Sequence, residues 1–152
     1  KEAVEKIFIV KKRSKEKRIS VMVGTISQLL EFFSPNEEEI RYIYHYLPGP
    51  FTFIIKAKPI LSHLGDEIGV RVVDHFFCRK LCLKINAPLT STSANISNKE
   101  SIIRLEQLDE ELKPQIAVAI DGGETKYKEP STVVHIRKRE IIRDGIGKFE
   151  WL

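Results

Sequence analysis

Short apolar runs of strand length recur along this chain between segments with helical spacing, and that interleaving constrains the fold class before any single residue is interpreted. Phe51-Thr52-Phe53-Ile54-Ile55 and Ile68-Gly69-Val70-Arg71-Val72-Val73 are rich in β-branched and aromatic side chains, the composition of buried strands. The first follows Pro48-Gly49-Pro50, a rigid turn in which two prolines fix φ around a permissive glycine. Ile19 to Val23 alternates in strand fashion, and Leu89 to Thr92 begins a strand that runs into a polar loop. Ile116 to Ile120 reads as a further strand, ended by the turn Asp121-Gly122-Gly123. Thr132 to Ile136 and Glu140 to Arg143 read as two strands joined by a hairpin turn at Arg137-Lys138-Arg139.

Helical patterns fill the intervals. Ala3, Val4, Ile7, Phe8 and Val10 give a helix over Glu2 to Val10, and Gly24 and Thr25 lead into Leu29, Leu30, Phe32 and Phe33. Ser34-Pro35-Asn36 before Glu37, Glu38 and Glu39 predicts a helix start, with acids at the positive end of the macrodipole, and a helix running to about Tyr46. Asp74 is the expected N-cap of a helix through Phe77, Leu81 and Ile85, and Glu106 to Lys113 reads as helical. The expectation is an α/β layered fold whose terminal hairpin makes the sheet mixed.

The chain has 152 residues, 42% hydrophobic and 30% charged, enough to bury the core of one soluble domain. It lacks an apolar run of membrane-spanning length and the apolar centre of a signal peptide, so a soluble, cytoplasmic protein is expected. Cys78 and Cys82 lie one helical turn apart, with no second Cys/His pair at ligand spacing, and read as reduced core thiols. The net charge of +4 is mild, but residues 11 to 18 hold six basic residues against one acid. That segment reads either as a clamp, with Lys11, Arg13 and Lys17 gathered on triphosphate oxygens, or as a solvated helix end.

Thr90 to Asn98 packs hydroxyls and amides directly after an apolar strand start, a place where α/β folds present donors to ligands, although a Ser/Thr-rich turn has the same composition. Arg71 stands in an apolar strand and Arg143 near the end of the last one. Each requires either an internal acid or a ligand anion. The four histidines are scattered, with neither HExxH spacing nor a triad-like grouping, and no GxxxxGK[ST] or GxGxxG loop is present. No metal-ligand set is expected from the protein itself.

Taken in order, Lys11-Lys12-Arg13 with Lys17, Pro48-Gly49-Pro50-Phe51-Thr52, Gly69-Val70-Arg71, Pro88 to Asn95, Asp121-Gly122-Gly123, Ser131 to Val134 and Ile142-Arg143-Asp144-Gly145 resemble the YrdC-domain family of threonylcarbamoyl-AMP synthases. The resemblance implies a YrdC-like α/β fold, a twisted mixed sheet flanked by helices around a concave basic cavity. It implies a nucleotidyltransferase that joins L-threonine, bicarbonate and ATP, with Mg2+ accompanying the triphosphate, into L-threonylcarbamoyl-AMP with release of pyrophosphate, for N6-threonylcarbamoyladenosine in tRNA. Lys11 and Arg13 match the family's Lys-x-Arg motif as catalytic residues, and Ser93 and Asn95 its Ser-x-Asn motif. Arg13, Lys17, Ser93, Asn95, Ser101 and Arg143 fall at nucleotide positions, whereas Arg71, Ser91 and Ser131 fall where relatives contact threonine.

Relatives place a strand and a Pro-Thr-rich, Tyr-Gly-containing segment ahead of the Lys-x-Arg helix, so the resemblance implies one YrdC-like domain, residues 1–152, incomplete at its N-terminus. Arg18, Met22, Asn98, Glu100 and Asp144 depart from the proline, histidine, glycine, proline and proline common in relatives. Two competing readings are a non-catalytic module that grips double-stranded RNA or tRNA through phosphates, with affinity falling steeply as salt rises, and one domain of a carbamoyltransferase like those of hydrogenase maturation. Other tRNA-modification proteins are expected partners; a membrane is not.

Overall fold

Parallel and antiparallel pairing mix within one six-stranded sheet. A computed structural model describes residues 2–12, 14, 19–97 and 99–152, and these fall into two compact units, one from residues 1–17 and 92–130, the other from 18–91 and 131–152. The sheet lies wholly in the second unit, in the order β4-β1-β3-β2-β5-β6. Its strands are β1 (Ser20–Val23), β2 (Phe51–Lys56), β3 (Glu67–Val72), β4 (Leu89–Ser91), β5 (Thr132–His135) and β6 (Glu140–Arg143). β1 and β3 run parallel, as do β2 and β5, while β4 on β1, β2 on β3 and β6 on β5 are antiparallel.

The period of two along each strand divides the sheet into unlike faces. Val21, Val23, Val70, Val72, Phe53, Ile55 and Val134 point into one core, shared with Leu29 and Phe33 from the α2 region (α2, Ile26–Phe32) and with Tyr42 and Ile43 of α3 (Glu37–Tyr46). Capping explains where these two helices start. The Thr25 side chain accepts from Gln28 N (3.1 Å), and Asn36 forms a capping box with Glu39, their side chains taking each other's amides at 2.8 and 2.7 Å. A fourth helix, α4 (Phe76–Ile85), packs along β1. Its Cys82 thiol donates to Met22 O at 3.7 Å, and it ends on Asn86 in the left-handed region.

Three expectations are corrected here. The cap of α4 is His75, which makes no side-chain cap bond, and Asp74 lies one residue further out. Glu106 to Lys113 is not an α-helix but two short 3-10 turns, Leu105–Gln107 and Lys113–Gln115. There the Asp109 carboxylate accepts from Glu111 N (2.9 Å), a local bond that competes with helix, and Pro114 cannot continue one. Ile116 to Ile120 forms no strand: among the described residues nothing pairs with it, and Ile116, Val118 and Ile120 are exposed. A β-prone run becomes a strand only where a neighbour completes the ladder. A 3-10 helix at Pro59–Leu64 was not anticipated, and the β5–β6 turn is a 3-10 turn at Ile136–Lys138 closed by Arg139 at φ 53°.

In the first unit, α1 (Glu2–Val10) contributes Val10 to a small core with Ile96, Leu108 and Leu112. Lys12, at φ 51°, turns the chain out of the helix.

Candidate functional site

In the first unit, the end of α1 meets the polar loop that follows residue 91. Lys11 is only 5% exposed, and a buried ammonium must have its three N–H bonds satisfied. Its Nζ donates to Ser93 O at 2.5 Å, Asn95 O at 2.6 Å and Asn95 Oδ1 at 2.9 Å, with Ser93 Oγ at 3.4 Å. The loop is closed by further bonds: Ser93 Oγ to Asn95 Oδ1 (2.5 Å), Asn95 Nδ2 to Lys99 O (2.5 Å) and Ser97 N to Lys11 O (3.0 Å). Lys11 therefore organises the Ser93–Asn95 loop from below. Beside it opens a cleft of about 300 Å3, with Ile7, Val10, Leu112 and Ile116 on its apolar side and Lys11 and Asn95 among its polar lining. Ser101 lies exposed beyond the loop. Arg13 and Lys17 lie outside the described residues.

In the second unit, the sheet face turned away from the large core carries the other expected residues. Arg71 of β3 is in register with Met22 of β1, and Ser91 of β4 with Ser20. Arg71 is half-buried, and its charge partly offsets the burial that pushes the Cys78 thiol up. At the far side of the sheet Arg143 donates through Nε and Nη2 to Ser131 O (3.0 and 2.8 Å), and Nη2 also reaches Ser131 Oγ at 3.2 Å. Ser131 Oγ in turn lies 2.9 Å from the hydroxyl of Thr52. Sequence reasoning assigned Thr52 no role, although a lone hydroxyl in the apolar run Phe51 to Ile55 is a signal that it serves a polar neighbour.

Chemically, these groups are suited to anions. Guanidinium and ammonium groups, hydroxyls and an amide can hold carboxylate and phosphate oxygens. Among the described residues there is no group of three or more His, Cys, Asp or Glu placed to hold a metal ion. No described helix is long and apolar enough to cross a membrane.

Comparison with known proteins decides the family. The Sua5/YciO/YrdC family model, described as "Telomere recombination", matches residues 1–145. The chain belongs to the Sua5/YciO/YrdC family. A Methanocaldococcus jannaschii protein whose suggested activity is threonylcarbamoyl-AMP synthesis is 36% identical over 148 residues, 95% of this chain and 70% of its own length. The threonylcarbamoyl-AMP synthase of Vibrio campbellii is 30% identical over 151 residues, covering 95% of this chain and 82% of that protein.

Among solved structures, a doubly substituted P. abyssi Sua5 superposes with a TM-score of 0.83 at 28% identity over 94% of this chain. P. abyssi Sua5 complexed with L-threonine gives 0.79 at 28% identity over 89% of it. The chain spans 46% and 41% of those two structures. The mixed sheet flanked by helices is thus the Sua5-like fold that the sequence motifs implied.

Proposed function

We propose that this chain catalyses formation of L-threonylcarbamoyl-AMP from L-threonine, bicarbonate and ATP, with pyrophosphate released, to supply N6-threonylcarbamoyladenosine in tRNA. The observation that carries the reading is the Lys11 clasp: two motifs 82 and 84 residues apart in sequence meet through one ammonium. The relatives' shared name and a Sua5 structure holding L-threonine support the same chemistry.

In this scheme a carbamate oxygen of carboxylated threonine attacks the α-phosphorus of ATP. The bond from that phosphorus to the bridging oxygen breaks, and pyrophosphate leaves with the electron pair. No protein nucleophile is required; positioning two anions and stabilising charge on the phosphate suffice. Arg13 and Lys17 hold nucleotide phosphates, with Ser93, Asn95, Ser101 and Arg143 as further nucleotide contacts. Arg71, Ser91 and Ser131 hold threonine. Lys11 fixes the Ser93–Asn95 loop against the charge of the bound nucleotide. Magnesium belongs to this scheme only as part of the nucleotide substrate. A cytoplasmic setting beside tRNA and other tRNA-modification proteins fits the reading.

The test is pyrophosphate release from ATP and bicarbonate, with and without threonine, together with tRNA binding as a function of salt. Threonine-dependent release supports the synthase. Absence of release alongside tRNA binding that weakens steeply with salt overturns it in favour of an RNA-binding module.

A further inference from the structure

Thr52 is buried, 2% exposed, in β2, where its neighbours along the strand, Phe51, Phe53, Ile54 and Ile55, are apolar. Its hydroxyl lies 2.9 Å from Ser131 Oγ, and among the described residues it has no other hydrogen-bond partner. The contact sets what Ser131 can do. A serine oxygen offers one O–H donor and two lone pairs. A guanidinium can only donate, so Arg143 Nη2, at 3.2 Å, occupies one lone pair. Were Ser131 to donate to Thr52, its single proton would be consumed within the protein, while the buried Thr52 proton would be left unsatisfied at a cost. With Thr52 as donor the buried Thr52 proton is satisfied, both Ser131 lone pairs are filled and the Ser131 O–H is left to point at an external acceptor.

The orientation of Thr52 is itself set by its neighbour on β3. A Cβ at Gly69 would stand 3.1 Å from Thr52 Cγ2 and 2.6 Å from Ser20 Oγ. The missing side chain makes room for the threonine methyl on one side and leaves the hydroxyl turned toward Ser131 on the other. Gly69 is two residues from Arg71 on the same strand, so Thr52 stands between Arg71 and the Ser131–Arg143 pair on one sheet.

We propose that Thr52 is a positioning residue that polarises Ser131, holding its hydroxyl as a donor toward a carboxylate-bearing ligand. The identity of that ligand as threonine rests on the synthase reading above; the polarisation does not. The experiment compares Thr52→Val, which keeps the shape and removes the donor, with Thr52→Ser, which keeps the donor and removes the methyl. Two quantities are measured in the full chain: the Ser131 χ1 distribution by NMR, and KM for threonine against kcat in pyrophosphate release.

Thr52→Val is expected to turn a single Ser131 rotamer into an averaged one and to raise the threonine KM about tenfold, the loss of one hydrogen bond. KM for ATP and kcat stay within about twofold, and Thr52→Ser restores both parental values. A parental rotamer and parental KM in Thr52→Val overturn the proposal, as does equal impairment in Thr52→Ser, which assigns the effect to packing of the methyl. If the parent shows no threonine-dependent release yet Thr52→Val still frees Ser131 and Thr52→Ser holds it, the polarisation stands and the synthase reading falls.

Discussion

The Lys11 ammonium and the Asn95 amide are joined twice, Nζ donating to the Asn95 carbonyl at 2.6 Å and to its Oδ1 at 2.9 Å. Because Ser93 O is the third acceptor, removing the charge takes the Lys11 donor from the Asn95 carbonyl and from Ser93 O, and leaves the buried Asn95 Oδ1 with Ser93 Oγ as its donor. Lys11→Met is therefore expected to destabilise the first unit by at least about 2 kcal/mol. Lys11→Arg does not rescue it, because a planar fork cannot reach three acceptors arranged around a point charge. Hydrogen exchange at Ser97 N, which bonds Lys11 O, reads the loop directly: faster exchange in both variants is the expected result, and unchanged protection would remove Lys11 from the role given to it.

Glu39 is fully buried, and Arg137 meets it side-on, Nε to Oε1 at 2.9 Å and Nη2 to Oε2 at 2.8 Å, while Oε2 also accepts from Asn36 N. Breaking such a pair from one side leaves a buried charge uncompensated, so Arg137→Met is expected to cost about 3–5 kcal/mol. Adding Glu39→Gln to Arg137→Met removes that charge and is expected to recover part of the loss. Urea unfolding of the two single variants and the double variant closes the cycle. Strict additivity would mean that the pair is not coupled.

The strands of the second unit were legible because each is a short apolar run with its own turn signals, and Asn36 with Glu39 announced its helix through the spacing of the capping box. The stretch from 106 to 120 was misread for a reason that spacing does not reveal. Helical periodicity there competes with Asp109, whose side chain takes the Glu111 amide, and the β-prone residues 116–120 have no ladder among the described residues. The site followed the same division. Lys11, Ser93, Asn95, Arg71 and Ser131 stand out by residue type in unexpected surroundings. That Lys11 would turn inward onto the loop, or that Thr52 would bond Ser131, depends on contacts between segments about eighty residues apart, which no local pattern records.

Both thiols are pushed up by burial, Cys78 against the opposing charge of Arg71 and Cys82 with help from Cys78. An acid whose folded pKa exceeds its unfolded value holds its proton more tightly when folded, so folding stability falls as pH rises above the ordinary thiol range near about 8.5. The expected outcome is a lower urea midpoint at pH 9.5 than at pH 7.5, an interval of about two units across that range, with the decrease reduced in the Cys78→Ala, Cys82→Ala variant. The thiolate is the nucleophile, so alkylation of the native chain at pH 8 is also expected to be slow. A double variant with the same decrease would assign it to other groups.

The C-terminal residues are held against α3 in strand-like alternation. Tyr46 Oη donates to Glu150 O at 3.0 Å and accepts from Glu150 N at 2.9 Å, while Tyr42 Oη does the same for Leu152 at 3.3 and 2.7 Å. At the alternate positions Phe149 and Trp151 pack against the same tyrosines, with ring centroids 5.0 Å from Tyr46 and 6.0 Å from Tyr42 respectively. The same strap starts at Gly147, whose carbonyl accepts from Thr132 Oγ1 at 2.7 Å, and a Cβ there would stand 2.6 Å from the Phe51 ring. Two tyrosines one turn apart thus read the backbone of every second residue. Tyr46→Phe keeps the ring contacts and removes one anchor, so it is expected to cost about 1 kcal/mol and to speed exchange of the Glu150 amide roughly fivefold. Exchange at Leu152, held by Tyr42, should rise less. Equal acceleration at both positions would mean that the strap opens as one unit and that the tyrosines do not act as separate anchors.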